Sequence, residues 1–327
     1  MLEGVKKFIK SRLITDSHPL LLSMWKKRFE CKLLWEQEMH SRMTYAELEA
    51  ELSRRYEAMF GRKLDWENPK TYNEKIHVSK LYMPTPLKTR LADKFAAREW
   101  IAERIGSEYL VPLLGVYDSF DDIDFDALPD KFVIKCTHDS KSVTVVRDKS
   151  KINMGMLRAK YEGFLKRDWG MMTLEMHYRD IPRKIIIERY IGDVINEYKF
   201  YCFGGRPYYC FVTFGRRDVD LSISFYDMDW VLQPFTRPDH KTHNATVPRP
   251  AEYDRMKELA AKLCVGFDHV RVDLYLVEGR IYSGEMTFAT ANGFGRLDPD
   301  EWDYRLGELW PFDNTARAKV LAEHSRP

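Results

Sequence analysis

Residues Val270 to Glu285 read VRVDLYLVEGRIYSGE. Apolar and polar residues alternate on both sides of Glu278-Gly279-Arg280, a hairpin turn signal, so the segment is expected to form two adjacent antiparallel strands. That pairing would put Asp273 and Glu285 beside each other on one sheet. Two carboxylates with little else acidic nearby suit a hard cation such as magnesium, which keeps its waters and bridges to phosphate oxygens. Taken alone, the hairpin is read more simply as an exposed ribbon with scattered acids. Its weight comes from three segments upstream that carry what a nucleotide and its metal would need.

The rest of the chain sets bounds on this reading. A length of 327 residues, 44% of them hydrophobic and 13% aromatic, excludes a disordered class. Fifty-two basic against fifty acidic residues leave a formal charge of +2, so no global field argues for nucleic acid or an acidic polymer. The five cysteines, at 31, 136, 202, 210 and 264, are odd in number and form no CxxC pair. Neither a disulfide framework nor a zinc site is expected from them, and a reducing cytosol is the expected home. No apolar run is long enough for a bilayer span, and the start lacks a secretory pattern. The first thirty residues combine Lys6, Lys7, Lys10, Arg12, Lys26, Lys27 and Arg28 with Phe8, Ile9, Leu13 and Trp25. Two readings stay open: peripheral contact with an anionic membrane surface, or a helix packed on its own domain.

Along the chain, residues 1–65 read as a helical N-terminal region, with a helix Tyr45 to Phe60 capped by Thr44 and stopped by Gly61. Residues 66–130 hold a helix after the Asn-Pro turn, a second helix from Thr89 to Ile105, and a strand within Tyr109 to Tyr117. Residues 131–190 give a β-β-α-β lobe: KFVIKCT from Lys131, SVTVVR from Ser142, a helix from about Asn153, and KIIIERY from Lys184. Residues 191–327 hold a larger mixed sheet with a helix at Ala251 to Cys264.

Several side chains in this layout invite chemistry. Lys135 sits mid-strand in KFVIKC, where an ammonium needs an anion such as phosphate, or else faces outward beside Lys131. The turn before Ser142 offers amides, the hydroxyls of Ser140 and Ser142 and the ammonium of Lys141, suited to a flap over a triphosphate. It is also an ordinary polar hairpin turn. The run IIIERYIGDVINEYKFY joins the two lobes. There the backbone of Glu188, Arg189, Tyr190 and Ile191 would read an adenine edge, Glu197 would accept ribose hydroxyls, and Lys199 would project from the same face. Arg216 and Arg217 are the best loop candidates for binding a γ-phosphate or a substrate carboxylate.

The ordered set ADKFAARE around Lys94, FVIKC around Lys135, IIIERYI, EYKFYCF, RVDLY and GEMTF resembles the ATP-grasp superfamily, and its details resemble the TupA-like branch named for teichuronopeptide biosynthesis. The resemblance covers about residues 66 to 312. It implies an α+β fold with the nucleotide held between a small and a large lobe. Lys94 and Lys135 would lie on the phosphates, Glu188 to Ile191 at the adenine, Glu197 at the ribose, and Asp273 and Glu285 on magnesium. Arg271 matches the arginine beside the acyl phosphate, where a cation stabilises developing oxyanion charge. Two departures stand out. His138-Asp139-Ser140-Lys141 replaces a glycine-rich HGSG-like turn, and Thr287 stands where the common pattern has asparagine, making its hydroxyl, Asn292 or water the third metal ligand. The implied activity is an ATP-dependent carboxylate–amine ligase using ATP and Mg2+. It would join an amino acid to a uronic acid or similar carboxylate in cell-surface polysaccharide synthesis. A sugar kinase on the same scaffold, with Asp218, Asp220 or His240 as base, and a non-catalytic nucleotide- or glycan-binding module are the competing readings.

Overall fold

The computed structural model describes residues 31–193, 195–215, 221–243 and 247–324. The chain forms two units, residues 1–43 and 44–327. In the first, residues 31–41 are helical; the basic segment 1–30 lies outside the described residues. No described helix is long and apolar enough to cross a membrane.

The second unit begins with α1 (Tyr45–Phe60). Thr44 and Glu47 form a reciprocal capping box, and Gly61, at φ 70°, closes the last turn in the left-handed conformation that glycine adopts at no steric cost. The helix α2 (Tyr72–Tyr82) starts with the same device at Thr71 and Glu74. Ile76, Leu81 and Tyr82 face the core, and Asn73, Glu74, His77, Ser79 and Lys80 are buried as well. Most of its polar atoms find partners: Asn73 Nδ2 donates to Asp303, Lys75 donates to the carbonyls of Gly307 and Trp310, and Lys80 donates to Asn292.

The expected single helix over 89–105 is two helices, α3 (Pro86–Ala92) and α4 (Ala97–Ile105). Asp93 makes the break: its carboxylate accepts the amides of Phe95 and Ala96, a local bond that competes with helix continuation. The break matters because it delivers Lys94 to the neighbouring sheet, where its amide bonds the carbonyl of Thr137.

The small sheet has the order β1 (Leu113–Tyr117), β4 (Ile185–Arg189), β2 (Phe132–Cys136), β3 (Thr144–Val146), all antiparallel. It draws β1 from ahead of the acidic connection 118–130, so it is larger than the β-β-α-β run alone. One face packs under α5 (Met154–Leu165), with Phe132, Ile134, Ile185 and Ile187 meeting Leu157, Tyr161 and Phe164. A short helix, α6 (Trp169–Thr173), follows.

The large sheet runs β10 (Arg280–Thr287), β9 (His269–Val277), β5 (Asn196–Phe203), β6 (Arg206–Phe214), β7 (Ser222–Asp227), β8 (Lys241–Thr242), antiparallel except for the β7–β8 pair. Even-numbered residues of β5 and β9, from Tyr198 to Cys202 and Val270 to Leu274, pack with α4 and with α7 (Tyr253–Cys264). The opposite face carries an aromatic cluster of Tyr201, Phe203, Phe211 and Phe225 against α2 and α8 (Glu301–Glu308). A last helix, α9 (Thr315–His324), ends the described chain.

Candidate active site

Of the charged residues singled out in the sequence, Glu197, Lys199, Arg271, Asp273 and Glu285 share the aromatic cluster's face of the large sheet. Glu197 and Lys199 alternate with Tyr201 on β5, and on β9 Lys199 pairs in register with Asp273, Tyr201 with Arg271. One end of this face is thus closed by rings and the other presents ions. The β9–β10 hairpin turns through Glu278 and Gly279, both at positive φ as two-residue hairpin turns require. From Arg280 to Ser283 the register is regular; at Gly284 it slips by one residue, so Glu285 stands opposite Asp273 and Thr287 opposite Arg271. Without this bulge Gly284 would face Asp273, and the acid would point to the helix-covered side. A Cβ on Gly284 would lie 2.7 Å from the Tyr275 ring and 3.0 Å from the carbonyl of Asp273, so the position is shaped for glycine.

The resulting network is closely paired. Arg271 binds Asp273 bidentately, Nε to Oδ1 at 2.7 Å and Nη2 to Oδ2 at 2.8 Å, and also donates to the Thr287 hydroxyl at 3.0 Å. Lys199 Nζ bridges Glu197 at 2.6 Å and Asp273 at 2.9 Å. Burial alone would push the Asp273 carboxyl up, but the charges of Arg271 and Lys199 outweigh it and hold it below its ordinary value. Burial likewise opposes the Lys199 ammonium, and Asp273 overcomes it, so its pKa rises. Glu285 is different: among the described residues its carboxylate has only the Thr287 hydroxyl, at 3.0 Å.

Across from Glu285 lies the small sheet. A cavity of about 30 Å³ is lined by Lys94, Arg98, Lys135, Glu188, Gly284 and Glu285 together with apolar residues of α3 and α4. It brings Lys94 and Lys135 to one cavity with Glu285. Lys135, however, already has its anion: Glu188 Oε2 at 2.7 Å, with Arg98 3.4 Å from the other oxygen. Glu188 therefore presents its side chain to the cavity beside Lys135 and Arg98. Its backbone is engaged by both neighbours of β4, and the Arg189 amide donates to the Pro112 carbonyl at 2.8 Å. Of the four residues expected at an adenine, Glu188 and Arg189 thus lie within the ladder, and Tyr190 and Ile191 lie beyond the strand. Ile191 packs with Val111, Tyr275, Val277 and Tyr282, an apolar patch at the hinge.

The turn at 138–142 is closed by hydrogen bonds of its own. Asp139 Oδ1 accepts the amides of Lys141 and Ser142, each at 2.7 Å, and the Ser142 hydroxyl accepts the Cys136 amide at 2.7 Å. An aspartate carboxylate thus takes the place that a phosphate was expected to take on these amides, while Ser140 and Lys141 remain exposed. Lys94 Nζ donates to the Asp139 carbonyl. Arg217, like Arg216, Asp218 and Asp220, lies outside the described residues.

Sequence reasoning missed Arg98, although it lies only four residues after Lys94 in ADKFAARE. It also missed the support behind β10. There Ala291, Asn292 and Gly293 take consecutive positive φ values of 49°, 56° and 75°. Two of these are costly for residues with a Cβ and persist because surrounding contacts impose them. Lys80 Nζ donates to Asn292 O at 2.9 Å and Oδ1 at 2.5 Å, Asn292 Nδ2 donates to Thr173 O, and His77 Nε2 lies 3.0 Å from Gly293 O. Lys80 is opposed by Glu175, both buried; burial pushes the acid up and the ammonium down. The lysine in YNEKIHVSKLY gives no hint of this, since its partner lies far along the chain.

The donor set fits magnesium. Asp273 and Glu285 are hard oxygen ligands on facing register positions, Thr287 adds a hydroxyl, and Glu285 lacks an ion-pair partner among the described residues.

Residues 74–310 match the family model of the TupA-like ATP-grasp proteins. The chain belongs to that family. Its class is that of the ATP-grasp enzymes, ATP-dependent ligases that join a carboxylate to an amine. No curated protein matches the chain. Among solved structures it is similar to D-alanine–D-alanine ligase from Bacillus anthracis complexed with ATP, at 17% identity and TM-score 0.40, covering 71% of this chain and 68% of that one. It is also similar to L-amino acid ligase from Bacillus licheniformis, at 14% identity and TM-score 0.40, covering 77% and 57%. For D-alanine–D-alanine ligase from Helicobacter pylori the values are 15% and 0.33, covering 72% and 61%.

Proposed function

We propose that the enzyme activates a substrate carboxylate with ATP and Mg2+ and passes it to an amine, joining an amino acid to a uronic acid or a similar sugar carboxylate of a cell-surface polysaccharide. The observation that carries this reading is the register pair Asp273–Glu285, with Arg271 on one side and Lys94 and Lys135 across the same cavity. Opposite charges face each other across the place where an anionic group would enter. Asp273, Glu285 and Thr287 would hold the magnesium, which supplies charge neutralisation on phosphate oxygens. Lys94 and Lys135 bind the phosphates, and Lys135 must then leave Glu188 for them.

In the reaction a carboxylate oxygen attacks the terminal phosphorus of ATP, the bond to ADP breaks, and an acyl phosphate results. The amine then attacks the acyl carbon, phosphate departs, and the amine proton is lost. Arg271, held rigid by Asp273 and Thr287, stabilises the oxyanion of the tetrahedral stage; a preorganised donor of this kind contributes roughly 10²-fold to 10³-fold in rate. The protein orients and neutralises, and no covalent enzyme intermediate is needed.

The test incubates the protein with ATP, magnesium and paired uronic acids and amino acids, following phosphate release and product mass, with the Asp273→Ala, Glu285→Ala double variant as control. An amide product with ADP, lost in the variant, is expected. A phosphate ester on a sugar hydroxyl would replace the ligase with a kinase.

A further inference from the structure

The end of β2 holds a second cluster that the ligase chemistry leaves unused. Cys136, His138 and Asp139 are all buried, and one ligand atom from each lies within 4.8 Å of the other two. Absence of a CxxC pair hides it in the sequence, because its three ligands come from a single run, Cys136-Thr137-His138-Asp139, at the entry to a turn.

Two of the three side chains have an atom with nothing to bond. His138 is 1% exposed and its Nε2 lies 3.1 Å from the Phe164 carbonyl, which makes Nε2–H the donor and leaves the Nδ1 lone pair free. Nδ1 is buried without a partner. Asp139 is also 1% exposed; Oδ1 takes the two turn amides while Oδ2 is buried without a partner. Leaving such atoms bare costs on the order of 1–3 kcal/mol each, and the arrangement around them is the one metal ligands have. A ligating histidine donates its other ring N–H to a carbonyl or carboxylate, and a ligating carboxylate has its second oxygen hydrogen-bonded.

We propose that Cys136 Sγ, His138 Nδ1 and Asp139 Oδ2 form a binding site for one borderline transition cation such as Zn2+, distinct from the magnesium site. The donor set of thiolate, imidazole and carboxylate selects zinc over magnesium, and a water completes four-coordination. Charge also balances: thiolate and carboxylate neutralise a dication in a buried place. Binding displaces the thiol proton, which goes to solvent. Apparent affinity therefore rises with pH.

The site would fasten the β2–β3 turn. Asp139 links the metal to the amides of Lys141 and Ser142, and its own carbonyl receives Lys94. His138 links it to α5 through Phe164.

The experiment titrates the metal-stripped full chain with Co2+, whose bond to a thiolate gives a near-ultraviolet charge-transfer band, and with Zn2+ in competition. One Co2+ per chain with this band is expected, displaced by Zn2+ and not by excess Mg2+. Cys136→Ser should abolish the band and His138→Ala should weaken binding by about tenfold or more, with the far-ultraviolet spectrum of each variant checking that it folds. A cobalt complex with no sulfur band, or a band that survives Cys136→Ser in the folded protein, would overturn the proposal. So would the absence of cobalt binding.

Discussion

The two walls of the cleft handle charge in opposite ways. On the large sheet, Asp273 is held by Arg271 and Lys199 while Glu285 has only a hydroxyl. On the small-sheet side, Lys135 and Arg98 share the carboxylate of Glu188, and among the described residues Lys94 has only a carbonyl. Among the described residues, one wall thus carries an anion without an ion-pair partner, Glu285, and the other a cation without one, Lys94. A metal suits the first and phosphate oxygens suit the second, so under the proposed function the nucleotide and its metal would complete both sides together. The pairs already formed hold Asp273 below its ordinary pKa and orient both Asp273 and Lys135.

This contrast can be broken at its strongest point. Asp273→Ala leaves Arg271 and Lys199 buried without their shared anion, and removing one partner of a buried pair costs about 3–5 kcal/mol. Urea unfolding should show that loss, together with absent turnover. Glu285→Gln should separate the two roles: a drop in turnover on the order of 10²-fold, with stability changed by less than about 1 kcal/mol. A large stability loss there would mean that Glu285 is as much a structural ion as Asp273.

Gly284→Ala crowds the Tyr275 ring and should cost about 1–3 kcal/mol, with a weakened response of ATP affinity to magnesium as Glu285 shifts. On the opposite wall, Lys135→Met should raise the Kd for ATP by about tenfold, one lost charge-assisted contact, read by calorimetry. The smallest effect is on pH. The lowered Asp273 value gives stability that is complete above about pH 4 and is lost as pH falls through the folded value. The acid limb of the unfolding curve should flatten in Asp273→Asn.

Much of this was legible in residue order. The alternation in RVDLY and the Glu-Gly turn place two acids on adjacent strands, and Thr44 and Gly61 mark both ends of α1 from local chemistry alone. What escaped depends on partners distant in sequence or on a count of one. Nothing in YSGE says that Gly284 is the bulged residue, since that follows from the Tyr275 ring beneath it. Nothing in IIIER says that Glu188 will meet Lys135, a pairing made only when β4 lies beside β2. Asp93 splits a helical pattern by capturing two amides, a competition that periodicity does not register. Nothing in the HDSK turn says that Asp139 will accept the turn's own amides, which it does in the fold.

The bulge at Gly284 also decides where this chain tolerates length change. Residues added at the Glu278-Gly279 turn are absorbed outside the ladder and leave the acid where it is. One residue inserted or deleted between Arg280 and Glu285 turns the carboxylate to the face covered by α4 and α7, among Met256, Leu259 and Leu263. Hairpin length can therefore drift at the tip, while the short interval before Glu285 is held to a fixed count.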